Sequence, residues 1–331
     1  MDLKKKRKRT RTRALILAVI LFLLTVVYAL ADRYLIEHVE QVVPKEQASP
    51  ETTGGESEES PNPGTETENP EGNTGEGSAE ATYDDWNYQS ESLTVSVQKV
   101  EQGSGSDKIT YYVADVQFAD GESLKSAFAK NSFGRNIIED TSVIAESNDA
   151  IFAINGDYYG FRNDGVIIRN GVVYRDVPTR TGLAILDDGT LMSYDETEIS
   201  SQELLEMGVV QTLSFGPVLV KDGAVVEDFG KVAIDTNIGN RSIQNSNPRT
   251  GIGMISANHF VFIVVDGRSS GYSRGMTLEE FAQAFADLGC TQAYNLDGGG
   301  SSTMYFMGRV VNNPLGKGSE RGVSDILYVS Q

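Results

Sequence analysis

The sequence predicts an α+β protein: one strand-rich globular domain with few helices, preceded by a transmembrane helix and a disordered linker. Three observations carry this. Short runs of β-branched and aromatic residues recur from Ser92 onward with no regular strand-helix alternation. An unbroken apolar run extends from Ala14 to Ala31, and the stretch from Glu46 to Glu80 has almost no large apolar residue. Four segments follow: a basic tail over 1–13, the apolar span over 14–31, a linker over 32–87, and the domain over 88–331.

The tail holds Lys4, Lys5, Lys6, Arg7, Lys8, Arg9, Arg11 and Arg13. Helical residues rise about 1.5 Å each, so the apolar run measures roughly 27 Å, close to the thickness of a hydrocarbon core. Basic flanks stay cytoplasmic, which places everything after Ala31 outside. The expectation is a single-pass protein of the cell membrane with an extracytoplasmic domain. Ala29-Leu30-Ala31 also has the form a signal peptidase accepts, and cleavage there exports the domain as well. The linker is rich in Glu, Thr, Ser, Gly, Asn and Pro and cannot bury enough surface to fold. As a coil it would span roughly 35 to 40 Å, holding the domain clear of the bilayer.

Strands are predicted over Leu93–Val100, Ile109–Phe118, Ala150–Ile154, Gly182–Leu186, Phe215–Val220, Val261–Val265 and Ile326–Val329. The clearest helix has Thr277 as N-cap with Glu280 three residues on. Its apolar stripe is Leu278, Phe281, Ala282, Phe285 and Leu288, and Gly289 ends it. Two further helices are expected, over 136–147 and 202–207. Cys290 is the single cysteine, so no intrachain disulfide forms, and its place between an apolar helix and a strand suits a small core residue.

Composition excludes several function classes. The net charge of −19 argues against a nucleic-acid partner for the exported part. His38 and His259 are the only histidines, too little material for a Ser-His-Asp triad or a His-rich zinc site. No phosphate-binding P-loop pattern occurs. Carboxylates gather near the motifs below, which is compatible with a divalent cation, but no spacing diagnoses a metal or other cofactor.

Chemistry concentrates in five places. Asn295 to Met304 follows a strand, and Gly298, Gly299 and Gly300 let the backbone turn sharply behind Asp297. Exposed N–H groups there can form an anion nest, while Asp297 can serve as base, nucleophile or ligand. Ile154 to Gly160 ends another strand and offers Asn155, Asp157, Tyr158 and Tyr159, with Arg162 following. Amides and carboxylates pair with sugar hydroxyls, and tyrosine faces stack on sugar rings. Arg249 opens a strand, and Asp266 with Arg268 closes one. Glu320 and Arg321 precede the last strand. Arginine binds phosphate through paired charge-assisted hydrogen bonds.

At the Asn-Gly-x-Tyr-Tyr turn, the Pro-Arg-Thr motif, the Asp-Gly-Arg strand end and the Leu-Asp-Gly-Gly-Gly-Ser-Ser-Thr-Met turn, the chain resembles the phosphodiester glycosidase family over about Ile151 to Val329. The resemblance implies hydrolysis of glycosyl-1-phosphodiesters, such as GlcNAc-1-phosphodiesters, in cell-surface or extracellular glycans. It implies Asp297 as the catalytic carboxylate with Asp266 or Glu320 as partner. Asn155, Asp157, Arg249, Arg268, Gly298, Gly299, Gly300, Ser301 and Arg321 would bind the sugar-phosphate diester. Two other readings use the same pocket: a non-catalytic polysaccharide-binding module of the cell wall, and a transferase that passes phosphodiester-linked polymer to a sugar acceptor.

Overall fold

The computed structural model describes residues 2–43, 81–119, 123–232, 234 and 242–330. The expected disordered stretch Glu46 to Glu80 lies outside them. Two antiparallel sheets face each other. The larger has nine strands, and its centre runs Val218–Lys221, Gln292–Asn295, Arg249–Ser256, His259–Val265, Ile109–Phe118 and Leu93–Gln102. The smaller has five strands, with Ala150–Asn155 between Met304–Phe306 and Asp325–Ser330.

Strand His259–Val265 shows why its sequence is apolar at nearly every position. Side chains alternate across a strand, and here both faces are covered. Phe260, Phe262 and Val264 meet Phe152, Ile154, Met304 and Leu327 of the smaller sheet. Val261, Ile263 and Val265 meet Phe281 and Phe285 of the helix Leu278–Asp287. Behind the smaller sheet, the helix Thr141–Ser147 packs Ile144 and Ala145 against Ala153, Tyr305 and Ile326. The centre is therefore a stack of helix, sheet, sheet and helix. A three-stranded sheet over Thr181–Leu186, Leu191–Asp195 and Val209–Leu213, with the hairpin Gly165–Arg169 and Val172–Val177, is attached to it.

The helix at Thr277 forms as its sequence requires. Thr277 accepts from the Glu280 amide, and Glu280 returns a carboxylate to the Thr277 amide. Cys290 is buried beside it, and burial pushes its thiol up to about 12. The short helix falls at Ser201–Glu206, within a residue of expectation.

Two expectations need correction. The helix expected over 136–147 begins only at Thr141, because Asn136 adopts a left-handed φ of 58° and cannot start it. The strand expected from Phe215 begins at Val218, since Pro217 has no N–H to donate to a ladder. Residues on either side of Glu46–Glu80 also meet the domain. The N-terminal helix runs Asp2–Tyr34, with mean hydropathy 2.6 over Leu15–Tyr34, and is long and apolar enough to cross a membrane. Just beyond it, His38–Val42 pairs with Ser132–Arg135 of the domain. Asn136 Nδ2 holds the carbonyls of Asp32 and Ile36 at 3.1 and 2.9 Å. Thr82–Tyr83 pairs with Asn87–Gln89 at the edge of the large sheet, ahead of the expected domain start at 88. Strands on both sides of Glu46–Glu80, His38–Val42 and Thr82–Tyr83, are thus paired within the domain.

Replacing Thr277 by Ala is expected to lower unfolding stability by about 1 kcal/mol through loss of the cap. Replacing Phe281 by Ala is expected to cost about 3–5 kcal/mol. Urea titration of the full chain in detergent checks both; equal effects would contradict the packing described.

Candidate active site

Antiparallel pairing gathers motifs far apart in sequence. Asn295 pairs with Gly251, Arg249 with Val265, and Asn155 with Ile326. The ends of Ala150–Asn155, His259–Val265 and Gln292–Asn295 thereby share one edge with the starts of Arg249–Ser256 and Asp325–Ser330. Between the two sheets, Asn155 Nδ2 donates to the Asp297 carbonyl at 2.8 Å, and its Oδ1 accepts from Thr250 Oγ1 at 2.7 Å and the Thr303 amide at 3.2 Å. Asn155 is fully buried. It fixes the backbone that presents Asp297.

A cavity of ≈ 250 Å3 opens here, lined by Asp297, Gly298, Gly299, Arg249, Arg268 and Arg321, together with Tyr158, Phe215, Asn247 and Asn295. Asp297 keeps 13% of its side chain exposed and accepts at Oδ2 from Ser301 Oγ at 2.6 Å and Arg321 Nη2 at 3.0 Å. Arg321 also donates from Nε to Ser301 Oγ. Arg268 donates from Nε and Nη2 to Asn247 Oδ1. Arg249 is buried and donates to the carbonyls of Met276, Ile243 and Asn245. Burial, reinforced by the Arg268 charge, pulls its guanidinium down to about 10, so it stays cationic at neutral pH.

The glycine run suits the close approach of these arginines and of the Pro248 backbone. A Cβ on Gly299, at φ 66°, would stand 3.1 Å from Arg268 Nη1, and one on Gly300 would stand 3.0 Å from Arg321 Cδ. A Cβ on Gly298 would strike the Pro248 carbonyl at 2.7 Å. The expected nest is partly consumed within the turn, because the Gly299 amide donates to Pro248 and the Ser301 amide to Gly298.

Three carboxylates named from sequence do not line this cavity. Asp266 is buried and accepts from Tyr272 Oη at 2.7 Å, Asn312 Nδ2 at 2.8 Å and the Asn313 amide at 3.0 Å. Burial holds it above the usual carboxylate range, opposed by these hydrogen bonds. Glu320 accepts from the amide and hydroxyl of Ser142 at 3.0 and 2.5 Å, closing the first turn of the helix Thr141–Ser147. Asp157 accepts from the Tyr158 and Ser214 amides, both at 2.6 Å. It sits beside the ion pair between Arg169 Nη2 and Asp325 Oδ2 at 2.7 Å. These geometries suit framework roles, and the two-carboxylate arrangement expected of Asp297 with Asp266 or Glu320 is not assembled.

Phe215, Asn247 and Asn295 also line the cavity without having been named from sequence as site residues. Asn295 buries an Oδ1 that has no hydrogen-bond partner among the described residues, while its Nδ2 donates to the Gly216 carbonyl. Tyr158 and Phe215 form the aromatic side of the cavity, and Arg162 is centred 5.0 Å over each ring. Asn295 opens the segment singled out around Asp297 and Asn247 precedes the Pro-Arg-Thr motif, so adjacency was the available signal. Among the described residues no group of three or more His, Cys, Asp or Glu side chains is placed to hold a metal ion.

Fold and cavity define a two-sheet protein with a pocket lined by one carboxylate and three guanidinium groups. The phosphodiester glycosidase family profile matches residues 148–330, and the chain belongs to that family. This membership supports hydrolase activity in general. The chain is 32% identical over 245 residues to the SPbeta prophage-derived uncharacterized protein YomE of Bacillus subtilis (strain 168), a match covering 67% of this chain and 36% of that protein. It is 28% identical over 195 residues to the N-acetylglucosamine-1-phosphodiester alpha-N-acetylglucosaminidase of Bos taurus, covering 54% of this chain and 35% of that enzyme. The chain thus spans about a third of the length of both curated relatives. Among solved structures, the catalytic domain of the zebrafish N-acetylglucosamine-1-phosphodiester alpha-N-acetylglucosaminidase, auto-inhibited by its pro-peptide, aligns with a TM-score of 0.57 at 22% identity, covering 73% of this chain and 84% of that one. A hypothetical protein from Synechocystis aligns with a TM-score of 0.56 at 15% identity, covering 72% and 62%. These two likenesses establish the fold.

Asp325, which anchors the site from below, gives a pH dependence. Burial, reinforced by the Asp157 charge and opposed by Arg169, pushes it up to about 6. A carboxyl raised on folding stabilises the protein below its unfolded value, and that contribution is lost as pH rises through the folded value. The stability difference between wild type and Asp325→Asn is therefore expected to shrink between about pH 4 and 7. Denaturant midpoints across this range test it; a difference that grows with pH would reverse the assignment.

Proposed function

We propose that the cavity hydrolyses glycosyl-1-phosphodiesters, with Asp297 as its catalytic carboxylate. The carrying observation is the single acidic side chain facing Arg249, Arg268 and Arg321. Such a site favours a substrate that brings its own negative charge. The name of the bovine relative supports an N-acetylglucosamine-1-phosphodiester as the first substrate to try.

The chemistry follows from the leaving group. The bond between the anomeric carbon and the phosphate oxygen breaks, and its electron pair stays on phosphate. The released group is a phosphomonoester whose second proton has a pKa of about 6, so it departs at neutral pH without a strong general acid. One carboxylate can then suffice. Asp297 takes the proton of an attacking water or attacks the anomeric carbon itself. The three guanidinium groups stabilise the charge that grows on phosphate. Ser301 and Arg321 hold Asp297 Oδ2, and the Asn295 Oδ1 offers an acceptor to a sugar hydroxyl or amide. The apolar helix supports a membrane-anchored protein with this domain outside, acting on surface or extracellular glycans.

The test uses the full chain in detergent with a GlcNAc-1-phosphodiester in 18O-labelled water. Release of sugar carrying the label at its anomeric hydroxyl is expected, with a loss of about 10²–10⁴-fold in Asp297→Asn. Label in the phosphate would mean cleavage on the wrong side. Binding without turnover would favour the binding module, and transfer to added sugar in place of water would favour the transferase.

A further inference from the structure

A second, larger cavity of ≈ 1270 Å3 adjoins the first, and nothing above uses it. Phe215 and Ile234 border both. The wall between them is an aromatic-cation stack. Tyr158, on the side of Asp297, lies 4.9 Å from the ring of Phe161 on the other side, and Arg162 covers Tyr158 and Phe215. From this wall the larger cavity extends to Arg135 and to Asp32 and Arg33 at the end of the N-terminal helix.

We propose that the larger cavity is a subsite for the leaving half of the substrate, accepting a further phosphate-bearing sugar unit, so that the protein works on chains of repeating glycosyl phosphates. This rests on the reading that the neighbouring cavity cleaves glycosyl phosphodiesters. Size is the first support. Pockets that enclose drug-sized ligands measure about 300–1,000 Å3, so the cavity at Asp297 suits little more than one glycosyl phosphate, whereas its neighbour has room for several linked units.

Charge is the second. Arg162 donates only to the Ser214 carbonyl among the described residues, and the Arg135 side chain has no hydrogen bond or ion pair among them. Three of the four acids on the same wall are engaged elsewhere, and the charge of the exposed Glu198 is offset by that of Lys221, which lines the cavity too. Asp164 pairs with Arg180 at 2.5 Å, Asp195 accepts from Thr197, and Asp32 pairs with His38 at 3.2 Å. Two guanidinium groups are thus left to meet an incoming anion. Arg162 stands where the scissile phosphate's cavity passes into the larger one, and a second phosphate one sugar further along a chain would reach it. Arginine's planar fork suits paired hydrogen bonds to such a group.

The experiment compares kcat/KM of the full chain in detergent for three substrates: methyl GlcNAc-1-phosphate, an oligomer of four GlcNAc-1-phosphate repeats, and a dodecyl GlcNAc-1-phosphodiester in mixed micelles. A preference of at least about tenfold for the oligomer over the methyl diester is expected, declining with added salt. Arg135→Gln and Arg162→Lys should each bring the oligomer-to-methyl ratio toward one. Cleavage of all three at equal efficiency overturns the subsite while leaving the proposed reaction intact. Preference for the dodecyl diester over the oligomer also overturns it and assigns the cavity to a lipid-linked leaving group. No cleavage of any of them, methyl diester included, rejects the underlying reaction.

Discussion

Two carboxylates and one guanidinium, buried together beneath the site, hold its parts in register. Arg169 donates from Nε to Asp325 Oδ2 at 2.8 Å, Asp325 Oδ1 accepts from the Asp157 amide at 2.9 Å, and Asp157 accepts from the Ser214 amide. Arg169 Nη1 also donates to the carbonyls of Ile168 and Thr212. Four segments distant in sequence therefore meet at one cluster: the turn after Asn155, the hairpin Gly165–Arg169, the residues after Val209–Leu213 and the start of the last strand. Buried charge is costly to desolvate and brings little net stability, but removing one member leaves the others unpaired at about 3–5 kcal/mol. An arrangement that separated these groups would leave buried charge without a partner. Gly156 belongs to the same constraint, because a Cβ there would stand 2.3 Å from Asp325 Oδ1.

That cluster sets what the cavity can be. With Asp157 committed below, Asp266 held by Tyr272 and Asn312, and Glu320 turned to Ser142, the acidic content of the surroundings is spent on architecture. Asp297 is left among arginines. A pocket so arranged selects for anionic substrates by electrostatics before any hydroxyl is read, and it suits a leaving group already stable as an anion.

What the sequence revealed divides by the range of the interactions involved. The helix at Thr277 was legible because its capping box and apolar stripe are local. The central strands were legible from their apolar runs, and the turn at Asp297 from three adjacent glycines. That Asp266 and Glu320 stand away from the cavity was not legible, because an acid beside a strand looks the same whether it faces a cavity or an asparagine 46 residues away. Asn136 was hidden for the same reason: its side chain grips carbonyls 104 and 100 residues earlier, and its left-handed backbone ends any helix through that point. Asn295 shows a subtler limit, since an unsatisfied buried oxygen exists only once its neighbours are placed.

The pairing of His38–Val42 with Ser132–Arg135 limits how far the N-terminal helix can turn away from the domain. Those strand hydrogen bonds, with the hold of Asn136 on the carbonyls of Asp32 and Ile36, tie the end of the helix to the body that carries the pocket. The orientation of the pocket is thereby coupled to the seat of that helix, and wherever the helix comes to rest the pocket follows.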